Sequence, residues 1–120
     1  MDVLHTAIEV GDLDTTREFY EGLLGLECTR QFEARGQQNY YVGGAGSAEL
    51  QFKVVDEAPE PSGIHHVAIA TTDVDAVVER AVTEWDTTVE MEPRTLDRKS
   101  IRLAAVTDPD GYTVHLIEEV

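Results

Sequence analysis

Basic residues are scarce in this chain. Nine Lys and Arg face 24 Asp and Glu, giving a formal net charge of −15 and a pI near 4.4. Only Lys53 and Lys99 are lysines. A surface of that sign repels phosphate backbones and anionic headgroups, so no nucleic acid and no membrane is expected as a partner. Cysteine is nearly absent as well. Cys28 stands alone, which forbids an internal disulfide, fits a reducing compartment and reads as a small half-buried residue. Long apolar runs are missing, and no segment approaches the roughly 20 apolar residues of a membrane helix. The opening Met1-Asp-Val-Leu-His5 carries no basic stretch and enters a strand pattern at once, which argues against a signal peptide. The expected location is cytoplasmic. The acid excess goes beyond what solubility needs, and it resembles proteins of salt-loving archaea, where concentrated salt screens the self-repulsion.

What the chain does have is an internal echo. His5-Thr-Ala-Ile-Glu-Val-Gly-Asp-Leu-Asp14 returns as His66-Val-Ala-Ile-Ala-Thr-Thr-Asp-Val-Asp75. His5, Ala7, Ile8, Asp12, Asp14 and Glu18 match His66, Ala68, Ile69, Asp73, Asp75 and Glu79 at one fixed offset. The 120 residues, 42% of them apolar, suffice for one domain made of two small halves. The expected division is a first module over 1–55, a linker over 56–63 with two prolines and a closing glycine, and a second module over 64–120.

Each half reads β-α-β-β-β, an α+β class. In the first, residues 3–10 alternate as a strand, and Asp12 or Asp14 caps a helix running to about Leu24, which Gly25 ends. Strands over 27–34 and 37–43 meet in a hairpin at Arg35-Gly36, and 48–54 forms a further strand. In the second, 64–71 is a strand and 73–85 the clearest helix, with Val74, Val77, Val78, Ala81, Val82 and Trp85 along one core-facing stripe. Strands around 88–94 and 99–107 follow, then an Asp108-Pro-Asp-Gly111 turn and a last strand over 112–118.

The chain has four histidines, at 5, 65, 66 and 115. His5 and His66 occupy matching places, each on its half's first strand. Aligning the last strands sets Glu49-Leu50-Gln51-Phe52 against His115-Leu116-Ile117-Glu118, so His115 has Glu49 as its mate. A pseudo-twofold relation between halves would gather all four at one centre. Burying such groups without compensation costs several kcal/mol, which a divalent cation relieves. His65 alternates to the face opposite His66 and reads as an ordinary residue beside the linker.

With those residues in view, the whole chain resembles the vicinal-oxygen-chelate superfamily of glyoxalase I, fosfomycin-resistance proteins, extradiol dioxygenases and methylmalonyl-CoA epimerase. The resemblance is carried by His5-Thr-Ala-Ile-Glu-Val-Gly-Asp-Leu13, Phe19-Tyr-Glu-Gly-Leu-Leu-Gly-Leu26, Glu49-Leu50, His66-Val-Ala-Ile69 and Asp108-Pro-Asp-Gly-Tyr-Thr-Val-His-Leu-Ile-Glu118. It implies tandem modules forming a half-open barrel of mixed β-sheet around one site. It also implies one divalent metal ion (zinc, nickel, manganese, cobalt or iron) held by His5, Glu49, His66 and His115, and a homodimer acting on a small molecule. Among members, the chain is most similar to bacterial-type glyoxalase I. That enzyme converts the hemithioacetal of methylglyoxal and a thiol into a 2-hydroxyacyl thioester through an enediolate. Glu49 would be the base, with His115 a second proton-handling group.

Three departures shape the expectation. His115 stands where the family often has glutamate. Glu9 stands where glyoxalase I usually has an arginine that contacts the carboxylate of glutathione, and Lys53 where it usually has asparagine. A thiol other than glutathione is therefore open. The alternatives are another metalloenzyme of the superfamily, an extradiol dioxygenase (using His5, His66 and Glu49) or an epimerase, and a metal-free binding protein of the bleomycin-resistance type.

Overall fold

Both halves fold in the expected β-α-β-β-β order. The computed structural model describes residues 1–120 as two units, Met1–Pro59 and Glu60–Val120, parted inside the polar segment 56–63. Unit 1 comprises β1 (His5–Val10), α1 (Leu13–Arg17), which runs on as a π-helix (Glu18–Leu23), β2 (Glu27–Ala34), β3 (Gln37–Gly43) and β4 (Glu49–Val54). Its sheet has the order β1-β4-β3-β2, with β1 and β4 parallel and the other neighbours antiparallel. Unit 2 comprises β5 (Val67–Ala70), α2 (Val74–Trp85), β6 (Val89–Leu96), β7 (Ile101–Thr107) and β8 (Thr113–Glu119), with a short 3-10 turn at Asp97–Lys99. Its sheet repeats the pattern as β5-β8-β7-β6. In each unit the parallel pair is the product of the helical crossover, since a parallel strand cannot be reached by a tight turn.

The Asp12 carboxylate caps α1 by accepting the Thr15 N–H at 3.2 Å. Beyond Arg17 the helix departs from the expected α form, and the Leu24 N–H reaches back five residues to the Phe19 carbonyl at 3.1 Å. Gly25, at φ +71°, ends it in a conformation that glycine adopts without penalty. Phe19, Tyr20 and Leu23 are buried, and the Tyr20 ring lies 4.9 Å from that of Phe52 on β4. One face of the first sheet (Ile8, Val10, Tyr40, Val42, Phe52) thus forms a core with the helix. The hairpin turn has Arg35 and Gly36 at φ 54° and 79°, the two left-handed residues that match the twist of paired strands.

Asp73 caps α2 in the same way, accepting the Ala76 N–H at 3.0 Å. Val74, Val78 and Ala81 are buried with Ala104, Val106, Val114 and Leu116 of the sheet. The predicted stripe was too wide. Val77 and Trp85 are half-buried and Val82 is 47% exposed, because the sheet covers only the centre of that helix face. Cys28 also differs from expectation. It is exposed, since β2 is the sheet's outer strand and every residue on it is solvent-accessible.

A half-buried acid ties the π-helix to β3. Burial pushes the Glu21 carboxyl upward, but hydrogen bonds from Arg17 Nε at 2.8 Å and the Tyr40 hydroxyl at 2.7 Å outweigh it and hold the group below its ordinary 4.5. A carboxyl depressed on folding contributes stability that is fully present above its unfolded value and lost as pH falls through the folded one. Glu21→Gln should therefore destabilise the protein at about pH 7, and the gap from wild type should shrink by about pH 3. Urea midpoints of both proteins at the two pH values test this, and a gap that stays constant removes the carboxylate as its source.

Candidate metal centre

In unit 1 the sheet face turned away from the helix is polar. Strand alternation sets His5, Ala7 and Glu9 of β1 beside Glu49, Gln51 and Lys53 of β4, which are their direct partners across the parallel ladder. Asn39, Tyr41 and Gly43 of β3 continue the same rows. His5 meets the edge of Tyr41, ring centroids 5.5 Å apart, and the Arg30 guanidinium lies 4.1 Å over the face of Tyr41. Glu49 is anchored on the other side. Its carboxylate accepts the Thr29 hydroxyl proton and faces Arg30 Nη2 at 3.5 Å. A register shift between Cys28 and Arg30 in the β2–β3 ladder falls at the two residues that reach it, as bulges commonly do where a side chain must be re-aimed. Gly43, directly opposite Glu49, leaves the space Thr29 needs, since a Cβ there would stand 3.2 Å from Thr29 Cγ2.

Glu9 and Lys53, the two departures from the family pattern, are ladder partners of each other. Lys53 Nζ donates to Asn39 Oδ1 at 3.0 Å, and Gln51 Nε2 donates to the same oxygen at 2.9 Å. The buried amides of Asn39 and Gln51 are thus satisfied within the face, as buried polar groups require.

In unit 2, the His66 and His115 rings stack, with centroids 3.7 Å apart and 2° between planes. His65 joins them, contrary to the sequence reading. Its Nδ1 lies 2.8 Å from His66 Nδ1, and one ring nitrogen from each of the three histidines lies within 4.8 Å of the others. The error has a local cause. β5 begins only at Val67, so neither His65 nor His66 is in strand geometry, and Gly63 at φ +82° turns the chain just before them. Alternation does not govern two residues outside a strand.

The repeat pairing also needs correction. Ala7 is the ladder partner of Gln51, and its equivalent Ala68 is the partner of His115. The topological mate of His115 is therefore Gln51, not Glu49. Gln51 lies on the same face of β4 as Glu49, one pleat along.

The donor set fits a divalent cation. Burial, followed by the neighbouring His66 and His65, lowers the His115 pKa, with Glu90 opposing weakly, so its neutral form is favoured. Neutral imidazole is the form that ligates, and clustered imidazoles suit zinc, nickel, copper or iron. Two parallel rings cannot aim at one ion, because each lone pair lies in its own ring plane; sharing an ion requires the His66–His115 stack to open. Within unit 1, His5 and Glu49 are ladder partners that offer one nitrogen and one carboxylate on the polar face of that sheet.

Comparison with known proteins shows the family. Residues 2–116 match the model of the Glyoxalase/Bleomycin resistance protein/Dioxygenase superfamily. The chain belongs to that superfamily. It is 33% identical to the lactoylglutathione lyase of Haemophilus influenzae, over 98% of this chain and 93% of that protein. It is also 33% identical to a lactoylglutathione lyase of Arabidopsis thaliana, where it spans 96% of its own length but only 43% of the relative. Among solved structures it resembles the trypanothione-dependent glyoxalase I of Leishmania major, with a TM-score of 0.79 and 28% identity over 99% of this chain and 87% of that one.

Proposed function

We propose that the chain is a metal-dependent glyoxalase I-type isomerase, acting on the hemithioacetal of a 2-oxoaldehyde and a thiol. What carries the reading is the set of cation-competent side chains on the parallel strand pairs or beside them, His5 opposite Glu49 and His66 against His115, in a superfamily member similar to lactoylglutathione lyases. These side chains are the proposed ligands for a divalent ion. When bound, it would polarise the two vicinal oxygens of the substrate and acidify the adjacent C–H. Glu49, oriented by Thr29 and Arg30, takes the proton from the carbon bearing sulfur and returns it to its neighbour. A hydroxyl proton moves between the two oxygens, so atoms balance without an oxidant. His115 is the second group able to carry a proton.

Glu9 and Lys53 are the substrate-facing charges in this reading, neighbours across the ladder, with Glu9 in place of an arginine that would receive glutathione's carboxylate. The reversed charge at Glu9 disfavours glutathione and leaves the thiol open. A salt-rich cytoplasm completes the proposal, its salt inferred from the −15 net charge, together with the homodimer that the family resemblance implies. The test is metal analysis of the purified protein, then methylglyoxal with a panel of thiols, following thioester formation. Bound metal with thioester from a thiol other than glutathione supports the reading. Protein that takes up no metal and forms no thioester with any thiol overturns it and favours a binding role.

A further inference from the structure

His65 has no part in the four-ligand set, yet it hydrogen-bonds His66. The two Nδ1 atoms stand 2.8 Å apart, and the rings meet edge to face at 84°. Such a contact needs a proton on one nitrogen and a lone pair on the other. His66 is therefore held on two sides, by this hydrogen bond and by the parallel ring of His115.

We propose that His65 is a positioning residue for His66, its Nδ1 lone pair accepting the His66 Nδ1–H and fixing the tautomer that leaves His66 Nε2 bare for a divalent cation. A ligating histidine ordinarily donates its second ring N–H to a carboxylate, carbonyl or water, which sets both tautomer and ring orientation. Around His66 the partner is a neighbouring imidazole instead. The reverse assignment, with His65 donating, would put the His66 proton on Nε2 and remove its donor atom from the centre. The inference rests on the reading of His66 as a metal ligand.

The test uses apo-protein titrated with Co(II) and with Zn(II) by calorimetry, and 15N shifts of the histidine rings, for wild type, His65→Ala, His65→Asn and His66→Ala. His65→Ala should keep one ion per chain but bind it about 10- to 100-fold more weakly. Its His66 should lose the single Nδ1–H tautomer that the proposal assigns to wild type. Asparagine, whose Oδ1 takes the place of the imidazole Nδ1, should restore most of the affinity and the tautomer; His66→Ala should lose the site. Unchanged affinity in His65→Ala, or no rescue by asparagine, overturns the proposal while the metal reading stands. Loss of the ion in His65→Ala to the extent seen in His66→Ala makes His65 a ligand and also overturns it. Wild type that takes up neither ion removes the metal reading itself.

Discussion

Glu49→Gln is expected to lower kcat for thioester formation by about 10²- to 10⁴-fold, the usual contribution of a positioned general base. Glutamine keeps the shape of the side chain and an oxygen to accept the Thr29 hydroxyl, so the carboxyl position is preserved. What disappears is the charge and the capacity to bind and release a proton. The loss of the Arg30 contact should matter little for folding. At 3.5 Å, with the Arg30 side chain 54% exposed, it belongs with surface ion pairs worth about 0–1 kcal/mol. The variant should therefore melt near wild type and lose turnover with KM little changed. Steady-state kinetics beside a thermal melt read both arms. A variant with wild-type kcat takes the base role away from Glu49, whatever its metal content.

The order of elements was readable because side-chain period reports local geometry: two-residue alternation in 37–43 and 48–54, and helical spacing from Val74 to Ala81. Hairpin chemistry at Arg35-Gly36 and a cap at Asp12 or Asp14 fixed boundaries in the first half to within a residue or two. The candidate site was half legible. His66 and His115 could be paired from their places in the repeat, whereas His65 could not, because its approach depends on where β5 starts and how Gly63 turns the chain. The slip that makes Gln51 the mate of His115 was hidden by similar wording, Glu49-Leu50 against His115-Leu116, which only the hydrogen-bonded ladder resolves. Val82 shows another limit. Its helical spacing marks a face, but the width of the sheet beneath decides how much of that face is covered. The π-helical widening after Arg17 has no periodic signature over so few residues.

Phe52→Ala is the core substitution expected to cost most, about 3–5 kcal/mol against a typical domain stability of about 5–15 kcal/mol. Phe52 has no exposed surface, its ring lies 4.9 Å from Tyr20, and its ladder partners Ile8 and Tyr40 are themselves buried. Removing the ring leaves a cavity walled by two strands and the π-helix, and hydrogen-bonded strands cannot close on it freely. Phe52→Leu, which keeps most of the volume, should lose less than about 1.5 kcal/mol. Val82→Ala, on a 47% exposed side chain, should stay within about 0.5 kcal/mol of wild type. Urea midpoints should be taken at one fixed high salt concentration, so that self-repulsion of the −15 chain is screened equally in all variants. A ranking with Phe52→Ala no worse than Val82→Ala would mean that the helix does not pack on this face. Because β4 carries Phe52 on one face and Glu49 and Gln51 on the other, loosening the core should also unsettle the base. Phe52→Ala should then lose more turnover than its unfolded fraction accounts for, while Val82→Ala should not.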